Sequence, residues 1–151
     1  MPYQVKKTLI SLITSLIIFV SYTTQILPQI GVQTEPKYWA TVMLVYIGIG
    51  VVVMIILHIA FHIFLSVSVA IKERNKDSKS IEKSLNVEMV EDEMTKLIDL
   101  KSIQVGYSLT GIGFVTGLIY LALGNSIVLT LNIIFIASLL GGITEGITNI
   151  Y

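Results

Sequence analysis

His58 and His62 are the only histidines of the sequence and stand four residues apart, a spacing that puts two imidazoles on one face of a helix. Two imidazoles so placed can share a metal ion, as in the His-x-x-x-His helix of zinc metalloproteases. The glutamate that acts as general base in those enzymes has no counterpart, because Ile59 follows His58. A bis-histidine haem would need ligands from facing helices, and there is no third histidine to provide one. Glu145 is the one carboxylate inside an otherwise apolar stretch, and an ionisable residue within a membrane segment is a functional candidate by default. His58, His62 and Glu145 admit three readings. The first is a polar clasp, with Glu145 bonded to a histidine, tyrosine or lysine near a wet interface. The second is a proton-linked role, since histidine as a residue type titrates near physiological pH. The third is a divalent metal such as zinc, held by two imidazoles and a carboxylate. The favoured expectation is no cofactor, with a divalent metal such as zinc as the alternative.

The elements that must position these residues follow from the placing of charge. Hydrophobic residues make up 54% of the 151-residue chain and charged residues 13%, against about 25% charged in soluble domains. Apart from Glu145, the charges lie at the N-terminus, at Glu35 and Lys37, or between Lys72 and Lys101. Between them run uncharged stretches, each able to supply the roughly 20 helical residues that cross a hydrocarbon core. The expected fold is therefore an all-α integral membrane protein: one membrane domain over 1–151 with four transmembrane helices. The first span runs Thr8 to Leu27, closed by Pro28; it is too long for a signal peptide and no small-x-small site follows, so it is retained. Ser11, Thr14, Ser15, Tyr22 and Gln25 give it a polar stripe that should face neighbouring helices. The second span covers 38–71, opening on the interfacial aromatic pair Tyr38 and Trp39. Its 34 residues make about 51 Å of helix, so either it tilts strongly or its last turns project into the cytoplasm; projection is favoured. The third span covers 102–123 and the fourth 127–147, with only Gly124, Asn125 and Ser126 between them.

The segment 72–101 is the only soluble part. Its first half is mixed but basic and its second half acidic, with Glu91, Asp92 and Glu93 as a triplet able to bind a partner. Val90, Met94, Leu97 and Ile98 recur as on one face of a helix that runs into the third span, and the triplet sits near the start of that helix, where its dipole favours negative charge. The two halves fold back as a helical hairpin or form a solvated linker with helical ends. The run from Val90 to Ser102, followed by a span containing glycine and tyrosine and then a hairpin, resembles a family of uncharacterised small bacterial and archaeal membrane proteins. In that family a D-E-R-x-x-x-I-x-x-K-A stretch leads into the last two helices. Met94 stands where the family has arginine, and Ser102 where it has alanine. The resemblance covers about the last 60 residues. It implies four helices and no established activity, and supplies no functional residues.

Nine of the ten basic residues lie at Lys6, Lys7 or between Lys72 and Lys101, leaving Lys37 alone on the other side. The positive-inside rule then puts both termini and the central segment in the cytoplasm. With Trp39 and Ile127 at the outer boundary, His58 lies about 28 Å down and Glu145 about 27 Å, so the candidate residues share a level near the cytoplasmic edge. Gly113 and Gly117, and Ser138, Gly142 and Gly146, repeat a small-xxx-small spacing that lets helix backbones approach within the chain or between copies. Glycine is also common in membrane helices without such a role.

No phosphate loop, Gly-x-Ser-x-Gly elbow or magnesium-binding acidic repeat occurs, so an enzyme is not expected. Besides the lipid bilayer, the expected partners are another copy of the chain or another membrane protein; nucleic acid is not one. The favoured function is an accessory, regulatory or immunity-type binding subunit. A small dimeric transporter comes second, although such a site belongs near the bilayer midplane. A metal-binding module resting on His58 and His62 comes third.

Overall fold

The computed structural model describes residues 3–72 and 93–150. It is all-α: α1 (Tyr3–Ser21), α2 (Pro36–Lys72), α3 (Glu93–Ala122) and α4 (Ile127–Ile150). Among the described residues, four stretches are helical, long and apolar enough to cross a membrane, from Thr8–Gln29 to Ile127–Ile150. Large apolar side chains such as Leu44, Ile56, Phe64, Ile112 and Leu118 are exposed along them. In water such a surface would drive association; hydrocarbon is the solvent it fits, since the helices satisfy their own backbone groups. The charged stretch 73–92, with the expected hairpin and with Glu91 and Asp92, lies outside the described residues.

The first span does not end cleanly before its proline. The Thr23 and Thr24 hydroxyls donate to the carbonyls of Phe19 (2.8 Å) and Val20 (2.6 Å). Beside them the helix widens into a π turn at Tyr22–Ile26, then tightens into a 3-10 turn at Leu27–Gln29. Pro28 lacks an N–H and crowds the preceding turn, which explains the change of winding without breaking the span. α2 opens on Pro36, a residue suited to the first helical position. It continues for 37 residues without interruption, about 55 Å. α3 is likewise unbroken from Glu93, so the end of the expected cytoplasmic segment and the third span are one helix.

A short turn joins α3 to α4. Gly124 takes φ +80°, a left-handed conformation open to glycine at little cost. Its N–H donates to the Leu121 carbonyl at 3.0 Å, and the Asn125 amide donates to the Tyr120 carbonyl at 3.0 Å. The turn thereby satisfies carbonyls at the end of α3. The two helices then pack at very close range. A Cβ on Gly113 would overlap Ala137 of α4, and one on Gly117 would come within 2.7 Å of Ile134. Gly106 and Gly141 face each other, each against the other's carbonyl.

α1 and α2 complete the bundle at the end carrying the α3–α4 turn. Tyr22, Trp39, Met43, Val128 and Phe135 form the buried cluster there. The Tyr22 ring meets Phe135 at 4.7 Å and Tyr46 at 5.3 Å, both edge-on. Its hydroxyl donates to Asn132 Oδ1 at 2.6 Å, while Asn132 Nδ2 donates to the Val128 carbonyl at 2.8 Å. Trp39 Nε1 donates to the Gln33 carbonyl at 2.9 Å, fixing the start of α2. Toward its other end α2 contributes no buried side chain among the described residues. Tyr22→Phe keeps the ring contacts but leaves the buried Asn132 oxygen without its donor. We expect it to lower stability by about 1 kcal/mol, read as a shifted midpoint in SDS unfolding; an unchanged midpoint would show that the bond contributes nothing net.

Candidate functional site

At the opposite end from the aromatic cluster, all four helices contribute to a cavity of about 410 Å³. Thr8, Ser11 and Ser15 of α1 supply a row of hydroxyls, an arrangement produced by their three- and four-residue spacing. α2 presents Met54 and His58, α3 presents Asp99 and Ile103, and α4 presents Glu145 and Asn149 across Gly142 and Gly146.

Asn149 is the junction of this site. Its Oδ1 accepts from the Thr8 hydroxyl at 2.8 Å. Its Nδ2 donates to Asp99 Oδ1 and, at 3.1 Å, to the fully buried Ser102 hydroxyl. Ser102 donates in turn to the carbonyls of Ile98 and Asp99, each at 2.9 Å. One carboxamide therefore ties α1, α3 and α4 together and holds Asp99 on the cavity wall. His58 Nδ1 lies 2.8 Å from the Met54 carbonyl. A carbonyl can only accept, so Nδ1 is the donor in this contact.

Glu145 packs beside Gly106, where an added Cβ would meet the Glu145 Cβ at 2.9 Å and a carboxylate oxygen at 3.3 Å. Only glycine on α3 leaves room for it. Unlike Asp99, the Glu145 carboxylate has no hydrogen-bond or ion-pair partner among the described residues. No lysine or arginine is among the described residues lining the cavity. The wall thus bears two carboxylates and one imidazole, a setting for a cation.

The structure brings His58 and Glu145 to one cavity and leaves His62 outside its lining. His62 is exposed, with its ring 6.4 Å from that of Phe61. Among the described residues no three His, Asp or Glu side chains are grouped to hold a metal ion. Glu93 is exposed in the first turn of α3. Gly113 and Gly117 lie at the α3–α4 contact, whereas Ser138 is exposed, Gly142 faces open space on the cavity wall, and Gly146 packs on Leu12 of α1. The face of α4 that meets α3 is instead formed by Ile134, Ala137 and Gly141. Neither Asp99 nor Asn149 stands out in the sequence by residue type. Asp99 reads as the tail of an acidic segment, and a lone asparagine near a helix end carries no motif.

Fold and site together describe a four-helix membrane-protein bundle with a polar, acidic cavity toward one end. No protein-family model, curated protein or solved structure matches the chain.

Proposed function

We propose that this chain is a non-enzymatic, multi-pass protein of the cytoplasmic membrane that works by binding, as an accessory or regulatory subunit, and that the cavity is where it takes up a small cation. The observation behind this reading is the Glu145 carboxylate, which lines the cavity without a partner among the described residues. An intramembrane carboxylate is costly to maintain, and one with no internal partner is suited to an external one. The absence of catalytic motifs supports a binding role over an enzymatic one. The distribution of basic residues supports cytoplasmic termini, with the cavity then opening toward the cytoplasmic side. The charged stretch between α2 and α3 is suited to meeting a partner protein there.

The test uses the full chain in lipid nanodiscs with ethylammonium chloride, against sodium chloride at equal ionic strength. Ethylammonium is expected to raise the melting temperature of the native protein. Glu145→Gln removes the charge while keeping the shape, and should weaken binding roughly 10- to 100-fold, the equivalent of one charge-assisted hydrogen bond. Equal responses to both salts, or an unaltered Glu145→Gln variant, would remove the reading. A second reading, a small dimeric transporter, is favoured by the same cavity lying among membrane-crossing helices. It requires release of preloaded ethylammonium from vesicles containing the protein, whereas a binding subunit leaves the vesicles tight.

A further inference from the structure

A second cavity, of about 400 Å³, lies between α1, α2 and α4. Its walls are mainly apolar, with Ile18, Tyr46, Gly50, Val51, Phe135 and Leu139 among them and the Thr14 and Ser15 hydroxyls on the α1 side. It exists because α2 approaches the bundle at Gly50, where an added Cβ would meet Ile18 at 3.2 Å, and packs less closely beyond that point. Two residues, Ser15 and Met54, line both cavities. The polar and the apolar cavity are therefore neighbours along the α1–α2 seam, each within the roughly 300–1,000 Å³ of small-ligand sites.

Resting on the cation-binding reading of the polar cavity, we infer that the two cavities form one site for a single-chain amphiphilic cation. The ammonium head sits at Glu145 and Asp99, and the alkyl chain passes Ser15 and Met54 into the apolar groove toward Phe135. The chemistry selects this class over its competitors. A bare metal ion uses neither the groove nor the volume, and no three-ligand group is present among the described residues. A bilayer phospholipid, even one with an ethanolamine head, carries its phosphate between the amine and the tails. That phosphate would stand beside two carboxylates with no lysine or arginine among the described lining residues to offset it. A cation at the very end of an alkyl chain has no such conflict. Met54 at the junction suits it, since an unbranched thioether adapts to chains of differing shape.

The experiment measures binding of n-octylammonium and ethylammonium to the full chain in nanodiscs, with protein-free nanodiscs subtracted and n-octanol as the uncharged competitor. Octylammonium is expected to bind roughly tenfold or more tightly than ethylammonium, equivalent to ~1.4 kcal/mol. Gly50→Phe places a ring in the groove and should abolish that gain while leaving ethylammonium binding unchanged. Val51→Phe, on the more exposed side of the groove, does the same if Gly50→Phe disturbs folding. Glu145→Gln weakens both ammonium ions. If octylammonium binds no better than ethylammonium, or if octanol displaces ethylammonium as readily as octylammonium does, the shared site is overturned while the polar cation site stands. Failure of both ammonium ions to bind overturns both proposals.

Discussion

Replacing Gly113 with isoleucine is expected to force α3 and α4 apart and lower the stability of the bundle by about 3 kcal/mol, the upper range for overpacking a tight contact. A Cβ at this position has no free volume, because Ala137 of α4 already occupies it. In hydrocarbon the two helices gain little from hiding apolar surface, so their association depends on close packing itself. The same interface includes Gly106, Gly117 and Gly141, and a rigid helix moved at Gly113 also moves at these positions. Isoleucine at Gly142 is the control. Nothing lies within 4 Å of a Cβ there, so Gly142→Ile should alter stability by less than about 0.5 kcal/mol. Ala137→Gly in the Gly113→Ile background returns part of the missing volume and should recover part of the loss. SDS unfolding followed by circular dichroism reads all three. Equal midpoints for the Gly113 and Gly142 variants would refute the glycine contact as the basis of the α3–α4 pair.

Asn149→Leu should be nearly as damaging, by a different route. Leucine has similar size but neither donor nor acceptor, so Asp99 loses a donor, Ser102 loses another, and the Thr8 hydroxyl loses its acceptor. Depriving a partly buried carboxylate of its donor costs more than an average hydrogen bond contributes, and we expect a total of about 3 kcal/mol. Thr8→Ala removes one arm only and should cost about 1 kcal/mol. The ordering is the test. A Thr8→Ala variant as unstable as Asn149→Leu would mean that the carboxamide is not the junction of the three helices.

The four spans were legible in the sequence because charge is almost absent from them; lysine or proline marks the ends of the first two and the start of the third, and Gly124, Asn125 and Ser126 mark the turn into the fourth. The common depth of His58 and Glu145 was legible too, from helical rise alone, and the two do line one cavity. The rest of the site depended on which faces meet. The glycine rows do not show this, since a glycine on a lipid-facing or cavity-facing surface looks the same in sequence as one at a contact, as Gly142 demonstrates. A usable signal was nevertheless present in the short α3–α4 turn. An antiparallel hairpin pairs residues at nearly equal distances from its turn. Gly113 with Ala137, Gly117 with Ile134, Gly106 with Glu145 and Ser102 with Asn149 all obey this rule about Asn125. Reflection about that turn would have led from Glu145 to Gly106 and from Asn149 to Ser102 and Asp99. The placement of α2 had no such guide. The chain between α2 and α3 is long, and the side of the bundle on which α2 rests is set by Trp39, Tyr46 and Tyr22 packing together.

The unbroken course of α3 has a mechanical consequence. From Glu93 to Ala122 it contains no proline and no change of winding, so it behaves as a stiff shaft. A twist applied at the Glu93 end is not absorbed on the way; it arrives at Asp99 after fewer than two turns. There the Asn149 bridge transmits it to α1 and α4 at once, turning a pull on the outer end of one helix into a deformation of the whole chamber.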